Sequence, residues 1–217
     1  MDGRGMDERV LVCFGDSNTH GSPPWTGTER APRFGPDVRW PGLLAAALGP
    51  SWRVHEEGLP GRTTVHPDPI EGAHLSGLAA LPMVLGTHSP VDTLVIMLGT
   101  NDLKARFSVG AGDIAASVEL LVRTTRTFCT DYGRPVPRVL VVAPAPIEET
   151  DDLREMFRGG PEKSRRLGPL LREVANRVSF GFLDAGEHVR VSEVDGIHLD
   201  PPSHRALASA IRSALLG

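Results

Sequence analysis

Cysteine and tyrosine are scarce in this chain of 217 residues, with two and one copies, and aromatic residues make up only 5%. Cys13 sits inside an apolar run and Cys129 far downstream. A pair so placed builds neither a disulfide framework nor a zinc site, and both read as buried reduced thiols. An excess of positive charge is also missing: 23 Lys and Arg against 27 Asp and Glu give a net charge of -4, so the electrostatic footprint of a nucleic-acid binder is absent. The basic cluster Lys163 to Arg166 alternates with other residue types and reads as a solvated helix face. No apolar run approaches the roughly 18 residues that cross a bilayer. The opening MDGRGMDERV has no apolar stretch of leader length. These absences lead to the expectation of a cytoplasmic protein without nucleic-acid or membrane partners. Residues 1–8 read as a flexible extension, with Met6 as a second possible start, and 1–217 as one domain. Internal repeats and low-complexity linkers are lacking too.

What is present is a regular alternation. Val10–Phe14, Trp52–Glu56, Thr93–Leu98, Arg138–Ala143 and Gly181–Asp184 read as apolar strands, and the first, within RVLVCF at Arg9 to Phe14, has the character of a strand buried on both faces of a parallel sheet. Helical patterns lie between and after them, at Pro41–Leu48, Leu75–Thr87, Ala111–Thr130, Pro161–Val178 and about Pro202–Leu216. Strand alternating with helix predicts βαβ units with right-handed crossovers. The expected fold is α/β: a three-layer, flavodoxin-like arrangement on a five-stranded parallel sheet. In such sheets ligands bind outside the carboxyl ends of the strands.

Four blocks fall at those ends. Gly15-Asp16-Ser17-Asn18 follows the first strand and places a hydroxyl at the functional edge. Gly58-Leu59-Pro60-Gly61 follows the second, Gly99-Thr100-Asn101-Asp102 the third, and Asp195-Gly196-Ile197-His198 lies after the fifth. A serine hydroxyl becomes a nucleophile only when a base takes its proton. Among eight histidines, His198 stands out because Asp195 precedes it by three residues on a Gly-containing loop. That carboxylate can hold the imidazole tautomer and stabilise the imidazolium. Acyl transfer also needs donors aimed at a developing oxyanion. The Ser17 N–H, the Gly61 N–H and the Asn101 carboxamide are the candidates. Asp16 is expected to cap its turn rather than act as base. Arg39, Trp40 and Arg62 read as structural, and His66, Asp68 and His74 lack metal-ligand spacing.

This set resembles the SGNH (GDSL-type) hydrolase family. GDSN at 15–18, Gly61, Asn101 within GTND, and DGIH at 195–198 match its blocks in order and spacing across essentially the whole chain. FGPDVRWPG, EEGLPGRTT, VIMLGTNDLKA and VDGIHLD resemble the bacterial arylesterase and acyltransferase (perhydrolase) subgroup. The resemblance implies Ser17 as nucleophile, His198 as base and Asp195 as its orienter. It implies an oxyanion hole of Ser17, Gly61 and Asn101. It further implies hydrolysis of small acetyl or aryl esters through an acyl-enzyme, with acyl transfer to alcohols or peroxide in some members. No cofactor and no metal are expected; the partners are a small-molecule ester and further copies of the chain in a homo-oligomer. His20, Ser22 and Pro60 depart from common subgroup residues and bear on pocket shape.

Two long loops, 21–40 and 144–160, overhang the same edge and read as binding loops. His20, Trp25, Ile147 and Phe157 are the candidate substrate-binding residues, with Pro23, Pro24, Leu153 and Met156 beside them. A deacetylase of an acetylated sugar or metabolite would use the same catalytic set with a different pocket. A flavodoxin-like binding module would need a phosphate loop such as G-x-x-x-x-G-K-[ST], which is absent, and would leave Asp195 and His198 without a role.

Overall fold

In the computed structural model, residues 8–27, 32–150 and 153–217 are described. The expected N-terminal extension lies outside them except for Glu8. Strands β1 (Arg9–Gly15), β2 (Trp52–Gly58), β3 (Thr93–Met97), β4 (Arg138–Ala143) and β5 (Gly181–Asp184) form one sheet in the order β2-β1-β3-β4-β5. Every neighbouring pair is parallel. The order reverses at β1, the topological switch point where α/β sheets open a crevice.

Alternation along the strands sends side chains to two layers. Val10, Val12 and Phe14 of β1, with Leu94 and Ile96 of β3, face one cluster. That cluster is completed by α3 (Gly77–Thr87), α4 (Ala111–Asp131) and α5 (Gly160–Val178). Leu11 and Cys13, with Val95, Met97, Leu140 and Val142, face the other. There α2 (Trp40–Leu48) and α6 (Pro201–Leu216) cover them. Both faces of β1, β3 and β4 are therefore packed, which is why these strands read as continuous apolar runs, whereas the edge strands β2 and β5 are only half-buried.

The spans follow the periodicity of the sequence closely, and their ends have local causes. Ser76 caps α3 by accepting from the Ala79 N–H, after a 3₁₀ turn over Ala73–Leu75. Asp200 caps α6 by accepting from the Ser203 N–H at 2.8 Å, and Pro201 and Pro202 fill the first turn, where a missing N–H is harmless. Trp40 is fully buried at the start of α2, and its N–H donates to Nδ1 of the buried His204 at 3.3 Å. Burial pushes the His204 imidazole down to about 4. It is therefore a neutral tie between α2 and α6 at physiological pH.

An α-helix that was not expected follows the first strand. Ser17–His20 forms a four-residue helix, α1, directly after β1, closed by Gly21 at φ +85°. It is too short to show a 3.6-residue period. Register then fixes the site: Gly15 of β1 pairs with Gly58 of β2 and with Met97 of β3. The loops after all three strands thus leave from one level of one edge. Among the described residues, no helix is long and apolar enough to cross a membrane.

Candidate active site

Ser17 is the first residue of α1, held where β1 ends. Asp16 caps this short helix by accepting from the Asn18 N–H at 3.0 Å. Its own carboxyl is buried behind the serine. Burial pushes it up to about 6, against the opposing pull of the Asn18 N–H, His198 and Arg62.

The loop after β5 returns to the same edge. His198 Nε2 lies 3.0 Å from Ser17 Oγ, and His198 Nδ1 lies 2.5 Å from Asp195 Oδ2. With Nδ1–H donating to the carboxylate, Nε2 is the acceptor for the serine hydroxyl. Asp195 is buried and takes three backbone donors. The Ile197 and His198 N–H groups reach Oδ1 at 3.0 and 2.9 Å, and the Trp25 N–H reaches Oδ2 at 2.7 Å. Burial alone would raise this carboxyl. Its bonds to the His198 ring, the Trp25 N–H and the His198 N–H outweigh burial and hold it below the usual range. Gly196 makes the tight loop possible at φ +70°, where a Cβ would meet the Glu148 carbonyl oxygen at 2.3 Å.

Gly61 and Asn101 stand at the adjoining strand ends. Leu59-Pro60-Gly61-Arg62 is a tight turn closed by the Arg62 N–H on the Leu59 carbonyl at 3.0 Å, with Gly61 at φ +84°. Proline second and a positive-φ glycine third is the pattern of a type II turn. Asn101 opens a 3₁₀ turn after β3, and its Nδ2 donates one hydrogen to the Arg62 carbonyl at 3.1 Å. The second hydrogen of that amide remains for the cleft, which Asn101 lines together with Ser17, Gly61 and His198.

The cleft has a volume of about 430 Å³. Pro23, Pro24, Trp25, Leu153, Met156 and Phe157 make an apolar wall from the two long loops. His20, Arg33, Glu71 and Lys104 add polar groups to the lining. Burial, then the nearby Arg33, lowers the His20 imidazole, so it faces the cleft uncharged at neutral pH. Of the four candidate substrate-binding residues, His20, Trp25 and Phe157 line this space. Ile147 does not, which corrects the sequence-based expectation. Its N–H is held by Ser164 Oγ at 3.1 Å, and its side chain is 1% exposed in the core. It packs under Gly160 at the first turn of α5 and so backs the wall instead of forming it.

Several contributors were invisible in the sequence. Asn18 donates through Nδ2 to the Ile197 carbonyl at 3.1 Å and accepts through Oδ1 from the Leu199 N–H at 2.9 Å. It clamps both sides of His198. Asp102 is buried and accepts from the Thr64 N–H and hydroxyl, tying the loop after Gly61 to the turn carrying Asn101. Lys104 donates to both oxygens of Glu71 at 3.0 and 2.9 Å, and Arg106 bridges Asp68 and Glu71. The only signal for Asn18 and Asp102 was a polar residue inside a block already read as functional.

Comparison with known proteins adds to this geometry. Residues 13–206 match the model of the GDSL-like Lipase/Acylhydrolase family. A carbohydrate acetylesterase from Sinorhizobium meliloti is 39% identical, with 96% of this chain and 98% of that chain covered and a TM-score of 0.92. The aryl esterase of M. smegmatis is 39% identical over 95% of this chain and 98% of that one, with a TM-score of 0.91. A second carbohydrate acetylesterase family member from Sinorhizobium meliloti is 36% identical over 95% and 97%, with a TM-score of 0.87. A search of curated proteins found no match. With a family match across nearly its whole length and esterases this similar in sequence and fold, the chain belongs to the GDSL-like lipase/acylhydrolase family and is a carboxylic ester hydrolase.

Proposed function

We propose that the enzyme hydrolyses small acetyl and aryl esters through an acyl-enzyme on Ser17. The observation that carries this reading is the continuous line from Asp195 Oδ2 through the His198 ring to Ser17 Oγ, at the mouth of a cleft that also holds Gly61 and Asn101. Ser17 Oγ attacks the ester carbonyl carbon while its proton passes to His198 Nε2. The carbonyl oxygen becomes an oxyanion facing the N–H groups of Ser17 and Gly61 and the free hydrogen of Asn101 Nδ2. Collapse breaks the bond to the leaving alcohol or phenol, which takes the proton from His198. Water then attacks the acyl-enzyme with His198 again as base, and Ser17 is restored.

An alcohol can take the place of that water. The apolar wall of Trp25, Leu153, Met156 and Phe157 supports acyl transfer as a second outcome of the same intermediate, because it favours an alcohol over water at the acyl group. The polar part of the lining, with Glu71, Lys104 and Arg33, supports a polyhydroxylated leaving group, as in an acetylated sugar. On this reading the enzyme is cytoplasmic and works without a cofactor. An ester series of increasing acyl length, on wild type and Ser17→Ala, tests the reading together with fluorophosphonate labelling. One labelled peptide containing Ser17 and loss of turnover in Ser17→Ala are expected. Full activity in Ser17→Ala would overturn it.

A further inference from the structure

Arg62 is a buried cation that the catalytic steps above do not use, and it touches every part of the oxyanion-hole scaffold. The residue is 5% exposed, and its guanidinium stacks on the Phe14 ring at 4.3 Å. Its Nη1 donates to the Gly15 carbonyl at 2.9 Å and to the Glu57 carbonyl. Gly15 immediately precedes Asp16 and Ser17. The same Gly15 oxygen also accepts the Leu59 N–H at 3.1 Å. Both ends of the Leu59–Arg62 turn are therefore pinned to one atom at the base of the nucleophile turn. On its other side, the Arg62 carbonyl accepts from Asn101 Nδ2 at 3.1 Å. That bond decides which end of the carboxamide, and which hydrogen, is left for the cleft.

The charge matters as well as the hydrogen bonds. Asp16 lies buried behind Ser17, and its Oδ2 has no hydrogen-bond partner among the described residues; neither does Arg62 Nε. A carboxylate in that position repels a developing oxyanion. Burial lowers the Arg62 guanidinium to about 10, while Glu57 and Asp16 hold it up. It therefore stays charged at neutral pH and opposes the field of Asp16 in a poorly solvated place, where such terms are strong.

We propose that Arg62 is the positioning residue of the oxyanion hole, fixing Gly61 and Asn101 relative to Ser17 and offsetting the buried charge of Asp16. This rests on the Ser17 reading above. One nitrogen, Nη1, holds both the Gly15 and the Glu57 carbonyls, while the planar group lies over the Phe14 ring, so lysine can keep the charge and the donors but has no flat group to stack on Phe14. Methionine keeps the bulk and loses both.

The test compares Arg62→Lys and Arg62→Met with wild type, with active sites counted by fluorophosphonate titration so that misfolded chain drops out. The expected result is a fall in kcat per titrated site of roughly 10- to 100-fold in Arg62→Met, with KM within about threefold, because the groups being positioned act mainly in the transition state. Arg62→Lys should recover part of the loss. A boronic acid, which becomes a tetrahedral anion on serine, should bind Arg62→Met more weakly by a similar factor. Binding of an uncharged amide analogue should stay near wild type. If kcat per titrated site is unchanged while only the melting temperature falls, Arg62 is a packing residue and the proposal fails with the Ser17 reading intact. If wild type itself is not labelled at Ser17, the Ser17 reading fails instead.

Discussion

Asn18 and Leu199 are 181 residues apart in sequence and joined by one hydrogen bond, the Leu199 N–H donating to Asn18 Oδ1 at 2.9 Å. The other end of the same carboxamide donates to the Ile197 carbonyl at 3.1 Å. A side chain beside the nucleophile thus pairs with the backbone on each side of His198, as a neighbouring strand would. The Ser17–His198 distance is set by this clamp rather than by the two side chains alone.

Asn18→Leu should therefore cost both stability and turnover. It removes two buried hydrogen bonds and leaves a backbone N–H and C=O unpaired, at about 1–3 kcal/mol for each orphaned group. Thermal unfolding should show a clear drop, and kcat per titrated site should fall by more than about tenfold as His198 loses its fixed place. A stable variant with wild-type kcat would show that the loop holds His198 unaided.

Asn101→Ala should lower kcat by roughly 10²- to 10³-fold with little change in KM, the usual effect of removing one oxyanion donor. Steady-state kinetics on a chromogenic acetate ester measure this. Loss of thermal stability with unchanged kcat would make Asn101 only a turn former.

Asp16 and His204 should pull stability in opposite directions as pH changes. Asp16 is raised from 3.8 to about 6 by burial. Between those values the native chain holds a proton that the unfolded chain has released, so its contribution weakens as pH rises. His204 is lowered from 6.5 to about 4 by burial. There the unfolded chain takes up the proton first, so stability falls as pH falls through that window. Asp16→Asn should gain on wild type between about pH 4 and 7, by on the order of 2–3 kcal/mol if the whole shift is expressed. His204→Asn should gain on wild type as pH falls over the same range. Melting curves at several pH values decide this. Parallel curves would mean that neither group's burial governs the profile.

Acyl transfer should be measurable in mostly aqueous buffer. With a vinyl ester and benzyl alcohol, chromatography should show more benzyl ester than the alcohol-to-water molar ratio predicts. Partitioning no better than that ratio would mean that the apolar wall of Trp25, Leu153, Met156 and Phe157 does not favour an alcohol over water.

Much of this molecule is readable from the chain because the central strands β1, β3 and β4 are buried on both faces and its main helices are long. Val10–Phe14 and Ala111–Thr130 carry their period within themselves. The motif residues are readable because each block sits directly after a strand, where a parallel sheet concentrates loops. Side-chain direction in an irregular loop is not encoded in that way. Ile147 and Phe157 are both apolar residues on one overhanging loop, yet Ile147, its N–H held by the Ser164 hydroxyl, is wholly in the core, while Phe157 also reaches the cleft. Asn18 and Arg62 escape a local reading for a related reason. Their partners are backbone carbonyls and N–H groups of distant or neighbouring turns, which have no residue type to recognise.

The contact between position 25 and Asp195 is made by a main-chain N–H, while the indole of the same residue faces the cleft. One residue thus serves two tasks through two chemically separate groups. Any amino acid except proline can supply the N–H, so the tie to Asp195 does not restrict what the side chain is. Position 25 is accordingly free to drift, or to be redesigned for a bulkier acyl group or a more polar alcohol, without disturbing the carboxylate that orients His198.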